Sequence, residues 1–150
     1  MARTRPTPIP LDPATTEHRL SVTEMRFQLV MQQAPVGIFV TDGAGDCQYV
    51  NERWMELAGL SQEQAIGKGW IEALHPDDRE RVSDEWYRAA RDDREFHSEY
   101  RFQRPRGEVR WVQGRALPLR DEAGRVTEYL GSVSDITALE LANQERERAR

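Results

Sequence analysis

The chain has a single cysteine, Cys47, so it can build neither an intramolecular disulfide nor a cysteine cage for zinc, and a reducing compartment suits it. It has no apolar run long enough to cross a bilayer. The opening MARTRPTPIP is basic but leads into charged sequence, without the apolar segment of a signal peptide. Basic residues are not in excess either: 26 acidic against 21 basic side chains give a net charge of −5, a field that repels nucleic acid and anionic lipid. The expectation is a cytoplasmic protein with neither a nucleic-acid nor a membrane partner. Catalytic signatures are also missing. No spacing suggests a Ser-His-acid or Cys-His grouping, and GAGDC and GKGW lack the lysine-serine arrangement of a phosphate-cradling loop, so no catalysis is expected within these residues.

What is present is enough for one domain. At 150 residues, 31% of them charged, the chain accommodates a hydrated domain with a real core and helical extensions. Residues 1–13, with Pro6, Pro8, Pro10 and Pro13, read as a flexible arm. Residues 14–34 read as an amphipathic helix capped by Thr15 or Thr16, with Phe27, Val30, Met31 and Ala34 in one apolar stripe and Pro35 as its stop. VGIFVTD and GDCQYVN read as two strands joined by DGAG, where glycine supplies backbone freedom.

The middle of the chain is helical. Asn51 caps ERWMELA before Gly59, Ser61 caps QEQAI, and Pro76 opens a helix over residues 77–91 that buries Val82, Trp86 and Ala89 or Ala90. Asp77 and Asp78 stand where free amides favour carboxylates. From residue 96 the period falls to two: Phe96, Ser98, Tyr100 and Phe102 share one face, and His97, Glu99, Arg101 and Gln103 the other. EVRWVQGRALPL and RVTEYLGSVSDI complete a three-stranded meander, with turns at RPRG and DEAG.

Over residues 35–137 the order of elements, with APVGIFVTD, YVNERWMELAGLSQEQAIGK, HPDD, EYRFQRPRGEVRWV and GSVSDIT, resembles the PAS domain, a sensory module of bacterial and eukaryotic signalling proteins. The resemblance implies an α+β fold: a five-stranded antiparallel sheet in the order 2-1-5-4-3 with short helices over one face, enclosing a pocket. By the same resemblance, Phe39, Trp70, Tyr100, Phe102, Val112 and Val133 are candidate pocket residues. Asp135, Ile136 and Thr137 would form the junction that passes movement of the sheet into a linker helix over residues 138–150, with Asp135 capping it near Ala138.

No cofactor is expected. The segment matching the flavin-adduct motif of LOV photoreceptors is GKGWIEAL, with Trp70 where the thiol would stand, and Val112, Phe102 and Val133 cannot hydrogen-bond a flavin edge. The helix that ligates haem in other PAS domains has no histidine here; His75 precedes it, His97 alternates away from the aromatics and His18 lies outside the core, so no metal site is expected either. A colourless small ligand remains, and so does the reading in which the rings simply fill the space.

The expected function is a signal-input module fused to an effector, of histidine-kinase or diguanylate-cyclase type, that senses such a ligand. The other reading is a ligand-free dimerisation and relay module. In either case the expected partners are a second copy, through the amino-terminal helix and the outer sheet face, and a carboxy-terminal effector domain or protein. The last helix gives a weak seam alone, since Ile136 and Leu139 are followed by Asn143, Arg146 and Arg150.

Overall fold

The structure is a computed structural model that describes the backbone of residues 13–149 and the side chains of residues 21–149. The chain divides into two units, residues 1–31 and 32–150. The first holds most of α1, Pro13–Gln33. Because the helix opens at Pro13, Thr15 and Thr16 fall inside its first turn and do not precede it, as the capping expectation required. It ends before Ala34, whose helical conformation Pro35 disfavours. Apart from Pro13, the arm read over residues 1–13 lies outside the described residues.

In the second unit the chain folds as strands, short helices, then strands. β1 (Gly37–Asp42) and β2 (Cys47–Val50) form a hairpin whose turn is built by Asp42: its Oδ1 accepts the amides of Ala44 at 3.1 Å and Asp46 at 2.9 Å. Gly45, at φ 98°, closes that turn in a conformation side chains rarely adopt. Asn51 then caps α2 (Glu52–Ala58) by accepting from the Trp54 amide at 2.9 Å. The same oxygen accepts from the Ile38 amide at 2.8 Å, so one side chain fixes the helix to β1. Ser61 and Gln64 form a reciprocal capping box on α3 (Gln62–Ala65).

Two 3-10 turns follow, Gly69–Ala73 and Pro76–Asp78, and then α4, Arg79–Arg91. The helix read over residues 77–91 is thus split at Asp78. α4 buries Val82, Trp86, Ala89 and Ala90 on one face.

β3 (Phe96–Gln103), β4 (Val109–Arg120) and β5 (Val126–Asp135) complete an antiparallel sheet in the order β2-β1-β5-β4-β3, which is the expected α+β architecture. Its inner face carries the core, including Phe102, Val112, Tyr129 and Val133, each at most 1% exposed. β3 begins opposite Ala116, so beyond that point β4 continues as a ribbon paired with β5 alone. Pro118 lies in that ribbon, with Leu117 and Leu119 exposed beside it. α5, Thr137–Arg148, follows β5 with one residue between them.

Candidate functional site

Between the inner face of the sheet and the short helices is a cavity of about 40 Å3. Phe39 and Thr41 of β1 and Tyr100 and Phe102 of β3 form its floor. The roof comes from Trp54 of α2, Trp70 of the first 3-10 turn, and Val82 and Trp86 of α4. Two glycines set the floor. Tyr100 lies across Gly114, where a Cβ would come within 2.5 Å of the hydroxyl, and Phe39 lies across Gly131 so closely that no side chain fits beneath it.

Aromatic edges lock the roof to the floor. The Trp86 indole meets Phe39, Phe96 and Tyr129 in T-shaped contacts at 5.9, 5.2 and 5.3 Å between centroids, and its N–H donates to the Gly45 carbonyl at 2.8 Å. Trp54 meets Phe102 at 5.6 Å, and Phe102 meets Tyr100 at the same distance. Trp86 is therefore the hub of the site.

The candidate pocket residues separate into two sets. Phe39, Trp70, Tyr100 and Phe102 line the cavity, while Val112 and Val133, fully buried on the same sheet face, are not among its lining residues. Val112 lies opposite Tyr100 and Val133 opposite Gly114 in the strand register, beside the rings that cover the two glycines. Trp54, Val82 and Trp86 were not among the candidates. Trp54, Leu57 and Ala58 are buried at i, i+3 and i+4 on α2, a spacing visible in the sequence that could have placed Trp54 here.

The cavity wall carries no charge. Cys47, on the β2 side, has its thiol pushed up to about 11 by burial and donates to the Tyr49 carbonyl at 3.8 Å, so it is a poor nucleophile at neutral pH. Burial likewise raises the Tyr100 phenol far above its ordinary value, so it stays protonated. Charges gather at the rim instead: Lys68 lies 4.1 Å over the Tyr87 ring and 3.2 Å from Asp46, and Tyr87 donates to Asp46 at 3.0 Å. The hydrogen bond from Lys68, with that from Tyr87, holds the Asp46 carboxyl below its usual range.

A second polar device joins the roof to β3. Asp78, read as a helix-start carboxylate, makes no capping bond. Its oxygens accept from Arg101 Nε at 3.0 Å, from the other end of the guanidinium at 2.8 Å, and from the Arg101 backbone amide at 2.9 Å. The hydrogen bond from Arg101 lowers the Asp78 pKa against the opposing effect of burial. The guanidinium also lies 5.3 Å over the Trp111 ring.

Trp111 in turn holds the junction. Its carbonyl accepts from the Ile136 amide at 2.8 Å, and its amide donates to Thr137 Oγ1 at 3.0 Å. Asp135 Oδ1 accepts from the Thr137 amide at 2.9 Å and from its hydroxyl at 2.6 Å, so the amide it binds is that of Thr137 and not one near Ala138. Burial raises the Asp135 pKa, but the Thr137 bonds and the Arg110 charge at 3.5 Å outweigh it and leave the pKa low. Strand and helix are thus joined by a hydrogen-bonded corner pinned to β4.

Among the described residues no group of three His, Cys, Asp or Glu side chains could hold a metal ion, and no helix is long and apolar enough to cross a membrane. His75 accepts from the Asp77 amide at 3.1 Å, within the second 3-10 turn.

Comparison with known proteins agrees with this architecture. The family model described as PAS fold matches residues 48–133, more than half of the chain. An uncharacterized protein of Sinorhizobium fredii is 38% identical over 127 residues, 85% of this chain and 15% of that protein. The peroxide stress-activated histidine kinase of Schizosaccharomyces pombe is 29% identical over 122 residues, 81% of this chain and 7% of the kinase. The chain therefore spans only a small part of these relatives. The crystal structure of a PAS domain from Colwellia psychrerythraea superposes with a TM-score of 0.62 at 28% identity, over 78% of this chain and 98% of that one. The sheet order, the helical roof and the family match together place the chain in the PAS family, as a sensory domain related to those of histidine kinases.

Proposed function

We propose that this domain is the input module of a signal transduction protein of histidine-kinase or diguanylate-cyclase type, working in the cytoplasm. A small ligand in the cavity shifts the rings on the sheet, and the shift leaves through Asp135, Ile136 and Thr137 into α5 and an effector beyond it. The observation that carries this reading is the pair of hydrogen bonds from the junction to Trp111. Trp111 precedes Val112 on β4, two residues before Gly114, over which Tyr100 lies, so the cavity floor and the junction share one strand. A glycine linker would dissipate the displacement; this corner has no such slack. Similarity to sensor kinases supports the effector class.

A second reading, a ligand-free dimerisation and relay module, draws support from the small volume, about 40 Å3, that the surrounding rings leave empty. In both readings two copies associate through α1, where Phe27 and Val30 are exposed, together with the outer sheet face. Native mass spectrometry of freshly purified protein separates the readings, combined with hydrogen exchange at amides 134–141 before and after removal of any bound species. The sensing reading expects a bound small molecule whose loss speeds exchange there. Protein that carries nothing, and whose junction exchange no small molecule alters, leaves the relay reading alone.

A further inference from the structure

We propose that the cavity selects a small uncharged molecule carrying one carbonyl or ether oxygen, which accepts a hydrogen bond from the Tyr100 hydroxyl. This rests on the sensing reading and names the ligand class for it. Two features of the wall carry the choice, its lack of charge and its surplus of donors.

No Asp, Glu, Lys, Arg or His lines the cavity, so nothing in it would replace the water lost by an ionic ligand. The rim charges Lys68 and Asp46 are already paired with each other. Carboxylates and phosphates are therefore disfavoured, and a neutral molecule with an apolar body suits the aromatic walls.

The polar groups of the wall then fix the functional group. The Thr41 hydroxyl donates to the Asp42 carbonyl at 2.8 Å, the Trp86 indole to Gly45, and the Cys47 thiol to Tyr49. The Tyr100 hydroxyl and the Trp54 indole N–H, on residues 5% and 3% exposed, have no protein partner among the described residues. Both are donors, and an indole N–H is a donor only. What these two donors lack is an acceptor within reach in the wall. A ligand oxygen placed beside Tyr100 would supply it, with Trp54 as a second donor on the opposite wall.

Size narrows the class further. One water-sized group occupies about 10–15 Å3 on this measure, so about 40 Å3 corresponds to a body of roughly three or four heavy atoms before any side chain moves. Trp70, only partly buried at the rim and tilted against Tyr87 at 6.2 Å, is the ring whose displacement would admit more.

Three probes of one shape test this on the whole chain: acetone, acetate and isobutene, each a planar body of about four heavy atoms and differing in oxygen content and charge. Binding is followed by the indole and backbone resonances in nitrogen-proton correlation spectra. Acetone is expected to give saturable shifts at Trp54 and Tyr100, and acetate to bind at least tenfold more weakly. Tyr100→Phe removes only the unpartnered hydroxyl, so its melting temperature without ligand should not fall, while its acetone affinity drops about fivefold and its isobutene affinity holds within twofold. Acetate binding as well as acetone, acetone affinity unchanged in Tyr100→Phe, or no saturable shift with any probe would each overturn the assignment. Acetone that binds as expected but leaves exchange at residues 134–141 unaltered counts against the relay alone, whereas acetate that binds best and alters that exchange counts against the ligand class alone.

Discussion

The floor of the cavity is a sheet laddered along all five strands, whereas the roof of short helices meets it through ring edges, the Asn51 bond to β1, the Asp78–Arg101 pair and two isolated bridges, Cys47–Gly67 and Leu74–Phe102. The floor owes its shape to backbone hydrogen bonds that are satisfied whatever the side chains do. The roof owes its position to packing, which is non-directional and can be remade after a small movement. The difference separates two walls: an adaptable one of packed helices, and a laddered one whose last strand ends at the corner with α5.

That contrast makes the roof hub the costliest single truncation. Trp86→Ala removes three ring contacts and an indole bond at once and should lower stability by about 3–5 kcal/mol in urea unfolding. A loss below about 1 kcal/mol would mean that the helices are held by something other than this ring.

A floor substitution should act differently. Gly131→Ala pushes a methyl into Phe39, and because the strand cannot yield, the ring must move into the cavity, at about 1–3 kcal/mol. The distinguishing readout is ligand access: probe binding should fall several-fold in this variant. Unchanged binding would mean that Phe39 escapes by another route.

The clamp between the two walls gives the smallest effect, and one that depends on pH. Asp78→Asn should cost about 1–2 kcal/mol near neutrality, since Asp78 is buried but Arg101, left without its partner, keeps some access to water. The native pKa of Asp78 is lowered, so its contribution is complete above the unfolded value of about 3.9 and disappears as pH falls through the native value. Urea midpoints for the two proteins should differ at pH 6, and the gap should narrow as pH falls below about 3.9. A gap as wide at pH 2.5 as at pH 6 would assign the effect to packing.

What the sequence discloses follows the range of the interactions. The alternation of Phe96, Tyr100 and Phe102, the Asn51 and Ser61 caps and the left-handed Gly59 are local, and each is legible within a few residues. Asp78 is different. Its partner is 23 residues away, and the spacing that marks a helix start says nothing of Arg101. Thr137, read from the sequence only as part of the junction, likewise reaches Trp111, 26 residues back, because the last strand lays it beside β4. Val112 and Val133 were placed on the correct face, but strand parity cannot tell which residues of a face meet the void and which lie under a ring. That depends on Gly114 and Gly131, whose missing side chains decide where Tyr100 and Phe39 rest.

Pro118 bears on how the domain behaves at high concentration. The backbone of Trp111 faces β5, so alternation turns the nitrogen of Pro118 seven residues later toward the margin that β3 leaves uncovered. That nitrogen carries no hydrogen, and a stray chain aligning there would find no partner for its carbonyl. The overhanging ribbon, with Leu117 and Leu119 on display, is thereby a weak template for fibril growth along that margin.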